Sequence, residues 1–181
     1  MNRVVWRGGT RPRCYHKIAS VIGLLIFSLA VCGGRIRVAG AAEETGEYLG
    51  PCALVASGDG KTLYVACADA HQVAWVELPG GNVTRRVDVP AQPTGLVLTP
   101  DGTGLIVTCA APKSTVAVLD ALSGGLITAI PAGHTAVGPA ISPDGKRLYV
   151  CNRFDNDVSV IDLGAGKEVA RVPAVREPIA A

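Results

Sequence analysis

The feature of this 181-residue chain that most constrains its fold is a repeat of 42 to 43 residues. Three Asp-Gly turns carry the repeat, at Asp59, Asp101 and Asp144. The same interval separates the valines that open a later apolar run: Val73, Val116 and Val158. Because chance similarity would not keep one phase over several landmarks, the sequence predicts three copies of a single supersecondary unit.

Each unit is predicted to contain four short strands separated by turns rich in Gly, Pro and Asp. The strands of the first unit are predicted at 52–57, 62–67, 73–78 and 83–89. Runs such as Leu96-Val97-Leu98 are apolar at successive positions, which is typical of a sheet covered on both faces. A period near 42 residues with four strands matches a β-propeller blade. We therefore predict an all-β fold, a β-propeller with three four-stranded antiparallel blades at 51–92, 93–135 and 136–177.

Three tetrapeptides occupy the same place in the units: Tyr64-Val65-Ala66-Cys67, Ile106-Val107-Thr108-Cys109 and Tyr149-Val150-Cys151-Asn152. They resemble the repeat of the YVTN family of β-propellers, which includes secreted and surface-layer proteins. The resemblance covers residues 50–181 and is strongest in the third copy, from Ser142 to Leu163. It implies a propeller fold and an exported protein. The motif is structural, so it implies no catalytic residue and no cofactor in this chain.

The first 42 residues differ in kind from the repeats. Basic residues precede an apolar run from Ile18 to Cys32, and Ala39-Gly40-Ala41 follows as a small-residue cleavage site. These features predict a secretory signal peptide at 1–42 that is cleaved, with an uncleaved N-terminal anchor as the alternative. Residues 43–50 are interpreted as a linker. The mature protein is expected in the periplasm, at the cell surface or outside the cell.

The formal net charge of +2 hides an acidic mature region. Residues 1–42 contain seven of the seventeen Lys and Arg and none of the fifteen Asp and Glu, so the remainder has ten against fifteen, a net charge of −5. A mildly acidic domain has no electrostatic basis for binding nucleic acid. The expected partner is an unknown protein, glycan or small-molecule ligand, and membrane contact is expected only through an uncleaved leader.

Residues 178–181 match the opening of a first strand and are interpreted as the start of a truncated fourth blade. Closed propellers contain about four to eight blades, and three blades leave two sheet faces without a neighbour. We therefore expect an incomplete ring of about seven blades, with the remaining blades or a partner domain supplied from elsewhere.

Four cysteines follow the leader: Cys52, Cys67, Cys109 and Cys151. Their spacings include neither Cys-x-x-Cys nor Cys-x-x-Cys-His, so no metal site and no covalent haem site is predicted. The favoured interpretation is small buried thiols. The alternative is a disulfide between Cys52 and Cys67, because a hairpin turning at Asp59 and Gly60 pairs residues whose numbers sum to about 119.

The loops after the second and fourth strands of each unit are expected on one face of the propeller, where such folds usually bind. Seven charged or titratable residues are candidates for that loop face: Asp69, His71, His134, Arg153, Asp155, Asp157 and Arg176. A lone histidine in a loop is more often solvated than a ligand, so the two histidines are not interpreted as a metal or haem site.

Three functions fit these patterns. The first is an exported propeller that acts as a non-catalytic binding scaffold. The second is the propeller portion of a periplasmic redox enzyme, which resembles cytochrome c peroxidase fusions or another haem or quinone enzyme, with the catalytic domain beyond this chain. The third is a cell-surface layer component. No acid and base pair is nominated.

Overall fold

A computed structural model describes residues 48–180 of the chain. The predicted signal peptide at 1–42, most of the predicted linker and Ala181 lie outside the described residues. Among the residues described, no helix is both long enough and apolar enough to cross a membrane.

Twelve strands form three four-stranded sheets in the described part of the chain. The first sheet contains β1 (Pro51–Ala56), β2 (Thr62–Cys67), β3 (Gln72–Glu77) and β4 (Val83–Asp88). The second contains β5 (Gln92–Leu98), β6 (Gly104–Ala110), β7 (Thr115–Asp120) and β8 (Leu126–Pro131). The third contains β9 (Ala136–Ile141), β10 (Arg147–Asn152), β11 (Asp157–Asp162) and β12 (Lys167–Pro173). In each sheet the strands neighbour one another in chain order and run antiparallel, so the predicted four-stranded antiparallel units are confirmed.

The Asp-Gly turns share one hydrogen-bond pattern. In the first, Ser57 Oγ donates to Asp59 Oδ1 at 2.7 Å, and the Lys61 main-chain N–H donates to the same oxygen at 3.0 Å. Thr99 with Asp101, and Ser142 with Asp144, repeat the hydroxyl bond at 2.5 and 2.6 Å. The glycine after each aspartate has φ near +70°, at +68°, +73° and +71° for Gly60, Gly102 and Gly145. Glycine is required there because a Cβ atom makes the left-handed region unfavourable.

The core lies between neighbouring sheets. Tyr64, Trp75 and Val73 of the first sheet pack against Leu105, Val107 and Leu119 of the second. On the other side of the second sheet, residues with no exposed surface meet across the interface: Ile106, Val116, Ile130, Leu148, Val150 and Ile161. Successive residues of β6 therefore point into different cores, which confirms that the middle sheet is covered on both faces. Full burial of one such aliphatic side chain stabilises the fold by about 2 kcal/mol.

The disulfide between Cys52 and Cys67, the alternative to free thiols, is not present in the structure, where both residues are thiols. The register follows the predicted sum from Ala53 with Ala66 onward, but a β-bulge between Pro51 and Ala53 leaves Cys52 without a partner in β2. Cys67 instead lies opposite Pro51. The thiol of Cys52 points to the main-chain carbonyls of Pro93, at 3.1 Å, and Ala66, at 3.6 Å.

The last described residues lie against the third sheet. A Cβ atom added at Gly138 in β9 would be 2.7 Å from the main-chain oxygen of Ile179 and 2.8 Å from Cα of Ala180. Residues 178–180 form no strand in the structure. Their assignment to a fourth blade therefore stays a prediction.

Candidate functional site

The predicted loop-face residues divide between the first and third sheets. In a four-stranded meander, the β2–β3 type of loop and the connection to the next sheet emerge at the same end, here called the loop end. Asp69 and His71 lie in the β2–β3 loop of the first sheet. The other candidates lie in loops or at strand ends around the third sheet: His134, Arg153, Asp155, Asp157 and Arg176.

Asp69 and His71 are exposed and belong to a local turn. The Asp69 carboxylate packs over Gly50, where an added Cβ atom would be 2.1 Å from Oδ2. His71 adopts a positive φ of 52°, and its main-chain carbonyl accepts a hydrogen bond from the Val89 N–H at 2.9 Å. These contacts stabilise the loop within the first sheet and do not join it to the other candidate residues.

Around the third sheet, the structure brings His134, Arg153, Asp155 and Asp157 together. The His134 main-chain N–H donates to Asp155 Oδ2 at 2.8 Å. The His134 ring meets the Phe154 ring edge to face, with centroids 5.2 Å apart. The Arg153 guanidinium lies over the same Phe154 ring, 5.2 Å from its centroid. An exposed aromatic ring held by a histidine and a cation offers an apolar contact area with a polar edge.

Three further residues, which were not candidates from the sequence, contact this group: Phe154, Arg171 and Glu177. These three and His134, Arg153, Asp155 and Asp157 are here called the loop cluster. Arg171 reaches from β12 to Asp155 Oδ2 and Asp157 Oδ2, both at 3.4 Å, and to Glu168 Oε1 at 2.6 Å. The hydrogen bond to Glu168 is the main cause that raises the pKa of Arg171. Arg153 pairs with Glu177 at 3.1 Å. The cross-strand register of β11 and β12 would have been needed to find Arg171, which lies opposite Ser159.

The buried side-chain amide of Asn152 forms hydrogen bonds to residues of the loop cluster and its neighbours. Asn152 has no exposed surface, and its Oδ1 accepts the Gly133 N–H at 2.9 Å. Its Nδ2 donates to Ser159 Oγ at 2.7 Å and to Asp157 Oδ1 at 2.6 Å. This asparagine ends the third tetrapeptide of the repeat, so the motif residue joins the β8–β9 loop to the β10–β11 loop.

Arg176 is exposed and makes no hydrogen bond or ion pair with any other residue in the range 48–180. Nor does the same range contain a group of three or more His, Cys, Asp or Glu side chains arranged to hold a metal ion. In the loop cluster the carboxylates accept hydrogen bonds from arginine side chains or main-chain N–H groups. This arrangement suits recognition of another surface, since the charges are already held in fixed positions.

The buried cysteines lie in the second strands of their sheets. Cys109 has no exposed surface, and burial raises the pKa of its thiol to about 11. Burial also raises the pKa of the Cys151 thiol. A thiol with a raised pKa is a poor nucleophile at neutral pH, so these residues act as small core side chains.

Comparison with known proteins relates the chain to solved structures. Hydrazine synthase from Kuenenia stuttgartiensis is 32% identical, with a TM-score of 0.67, over 76% of this chain and 39% of that chain. A putative 6-phosphogluconolactonase from Bacteroides fragilis is 21% identical, with a TM-score of 0.64, over 74% of this chain and 41% of that chain. No protein-family description and no curated protein sequence matches the chain.

The chain therefore spans about two fifths of the length of these two solved structures, 39% and 41%. Both neighbours have propeller-type folds, and the three stacked four-stranded sheets fit the same architecture. The predicted fold class is thus confirmed: the chain is an all-β protein whose sheets are the blades of a β-propeller.

Proposed function

We propose that this chain is an exported propeller module that works by binding, and that it contributes three blades to a larger assembly. The proposal rests on apolar side chains that are exposed on the outer face of the first sheet. Val55 pairs with Tyr64 and packs toward the second sheet, so the neighbouring pair Leu54 and Val65 points the other way. Leu54 is 67% exposed there.

The outer face of the third sheet has the same character. Leu148 is fully buried against the second sheet, so Tyr149 points to the opposite face, where it is 37% exposed. Its partner across the ladder is Val160. The apolar side chains on the two outer faces resemble those at the interior sheet interfaces of the same protein, so the occupant of each outer face is proposed to be a further blade.

Sedimentation velocity on the chain recovered from an exporting host tests this role. The wild-type chain should associate as its concentration rises, because residues 48–180 leave Leu54 and Tyr149 exposed on the outer faces of the first and third sheets. Leu54→Lys should shift the equilibrium toward the monomer. Leu126→Lys is the matched control, since Leu126 is 59% exposed at the start of β8, the last strand of the second sheet, which lies between the other two sheets. A wild-type monomer at every concentration, or equal effects of the two variants, would contradict the proposal.

Export is tested in the same preparation. N-terminal sequencing of the recovered protein should find a start near residue 43, as expected for a cleaved leader. Full-length protein retained in the cytoplasm would count against the exported role.

A second candidate function is the propeller portion of a redox enzyme whose catalytic groups lie on another domain or chain. The similarity to hydrazine synthase, at 32% identity, supports this candidate. The purified chain alone should show no Soret absorbance, whereas the assembly isolated from the native host through a tagged copy should show haem on a partner chain. Haem bound to this chain itself would contradict the proposal that this chain is non-catalytic. An assembly without any redox group would contradict the redox candidate and favour the binding scaffold.

A further inference from the structure

A cleft of about 750 Å³ lies between the first and second sheets, at the end of the sheets opposite the loop cluster. The Asp-Gly turns of both sheets form its rim, with Asp59 on one side and Asp101 on the other. Tyr64 and Trp75 of the first sheet form its inner wall. Leu98, Pro100 and Leu122 of the second sheet supply apolar surface opposite them.

Two hydrogen bonds hold the cleft open at a fixed width. Trp75 Nε1 donates to the main-chain oxygen of Ala121 at 2.7 Å, and the Arg85 guanidinium donates to the oxygen of Ser123 at 2.5 Å. Gly124 lies so close to the first sheet that an added Cβ atom would be 2.7 Å from Val87 Cγ2. The β7–β8 turn is therefore attached to the first sheet, and the cleft is a built feature of this interface.

The hydroxyl of Tyr64, in the cleft, also indicates a ligand because it has no hydrogen-bond partner in the described range. Tyr64 is only 5% exposed, and its ring packs edge to face on Trp75 with centroids 5.6 Å apart. Its hydroxyl makes no hydrogen bond with any residue in the described range. Gln72 Oε1 is the single side-chain atom in that range that is both sealed from solvent and without a partner, so the Tyr64 hydroxyl remains accessible, and the residue lines the cleft. The hydroxyl oxygen can therefore accept a hydrogen bond from a group bound in the cleft.

The repeat shows that this lining is particular to one interface. Across the first sheet, Tyr64 pairs with Trp75 and Trp75 pairs with Arg85. The equivalent residues of the second sheet are Ile106, Val118 and Thr128. Those of the third sheet are Tyr149, Val160 and Ala170. Tyrosine therefore recurs at the Tyr64 position in the third sheet. Trp75 and Arg85 have no such counterpart, since the other two sheets have valine and then threonine or alanine at these positions, so the first sheet departs from the repeat there.

The rim of the cleft is negative. Hydrogen bonds from the hydroxyls of Ser57 and Thr99 lower the pKa values of Asp59 and Asp101, so both carboxylates are ionised at neutral pH. Asp59 Oδ1 already accepts two bonds, but Oδ2 accepts none from residues 48–180. Arg85 is the one cation that lines the cleft, and one of its N–H groups is bound to Ser123.

We propose that the cleft binds an organic ammonium group, supplied by a free alkylamine or by a lysine side chain. The ammonium would donate to Asp59 Oδ2 and to the Tyr64 hydroxyl oxygen, and its alkyl stem would lie against Leu98, Pro100 and Leu122. The rings of Tyr64 and Trp75 are 5% and 4% exposed, which leaves no flat platform on which a sugar could stack. This site is separate from the sheet faces of the proposed assembly, so either proposal can fail without the other.

The test is a titration of the full chain with n-butylammonium chloride, followed by the NMR signal of the Trp75 indole N–H. Butanol, which has the same stem without the charge, is the reference ligand. A short peptide with one lysine, and the same peptide with norleucine in its place, distinguish the second source of the ammonium group. Tyr64→Phe and Asp59→Asn are the cleft variants. Tyr149→Phe and Asp144→Asn are matched controls at equivalent positions of the third sheet.

We expect n-butylammonium to shift the Trp75 signal at millimolar concentration, and butanol to shift it far less. Each cleft variant should weaken binding by about tenfold, which is the loss of one hydrogen bond to a charged group. The control variants should bind as the wild type does. Binding of the lysine peptide alone would assign the site to a protein partner and still support the recognised chemistry. Equal binding of butanol, no binding of either amine source, or equal losses in the third-sheet variants would overturn the proposal.

Discussion

Cys52 and Thr94 occupy the same position in successive sheets, and each donates a side-chain hydrogen bond to a main-chain carbonyl of the following sheet. Cys52 Sγ lies 3.1 Å from the oxygen of Pro93, and Thr94 Oγ1 lies 2.6 Å from the oxygen of Ala136. The acceptors are themselves equivalent residues, at the starts of the second and third sheets. One polar bond therefore recurs between the inner strands of an otherwise apolar stack.

Thr94→Val tests the contribution of this bond to stability. The substitution keeps the shape of the side chain but removes the donor to Ala136, and it also ends the contact with Thr108 Oγ1 at 3.0 Å. The free energy of unfolding should fall by about 1 to 3 kcal/mol, as measured by urea denaturation. Thr103→Val, in an exposed turn, is the control, and an equal loss there would show that the bond between sheets has no special role.

Gly133→Ala should destabilise the loop cluster. An added Cβ atom would lie 2.5 Å from Asn152 Cγ and 2.4 Å from Asp155 Oδ2, so the buried amide and its partners would have to move. A cost of about 1 to 3 kcal/mol is expected from the overpacking. Gly58→Ala is the control because nothing lies within 4 Å of its added Cβ atom. An unfolding midpoint unchanged by Gly133→Ala would contradict this prediction, because it would show that Asn152 and Asp155 can move to accept the added methyl group without loss of stability.

Gly58→Pro should stabilise the protein. Proline already stands at the equivalent positions of the other two turns, as Pro100 and Pro143. The three turns share their hydrogen bonds, and the Gly58 position has open space around it. Fewer unfolded conformations should raise the free energy of unfolding by about 0.4 to 1 kcal/mol. A lower thermal midpoint would show that the first turn differs in backbone from the others.

Acid should weaken the protein through its turn aspartates. The pKa values of Asp59, Asp101 and Asp144 lie below the ordinary value of 3.8, chiefly because a serine or threonine hydroxyl donates to each carboxylate. A lowered pKa in the folded state adds stability above pH 3.8, and this stability is lost as the pH falls through the folded-state pKa. Ser142→Ala should reduce the slope of unfolding free energy against pH below about pH 4. A slope that is identical in wild type and variant would remove Asp144 from the acid response.

Thiol labelling should distinguish the cysteines of the native repeats. Cys52 is exposed, whereas Cys67, Cys109 and Cys151 are buried. Brief iodoacetamide treatment of the native chain should therefore label Cys52 before the other three, and Cys109, with a pKa of about 11, should react only after denaturation. Mass spectrometry of the unreduced protein counts the thiols at the same time. Two thiols fewer than expected, mapped to Cys52 and Cys67, would support the alternative of a disulfide between them.

The repeat period made most of the architecture predictable. The strands of the first unit were predicted within one residue of their observed bounds, because turn chemistry at Asp59 and Gly60 is local. The sequence also placed His134, Arg153, Asp155 and Asp157 at one end of the fold, because a meander places alternate loops there, and their role in binding stays a prediction. Phe154 and Arg171 were missed, since their roles depend on contacts across loops and between strands.

The amino-acid sequence by itself determined the three sheets, their order along the chain and the turns that join their strands, because each depends on residues close together in the chain. Tertiary structure alone decided the bulge that separates Cys52 from Cys67 and the cleft lined by Tyr64 and Trp75. Both depend on how one sheet packs against the next. That packing is set by side-chain shape across an interface between residues about 40 positions apart, as in the Trp75 bond to Ala121, 46 residues away.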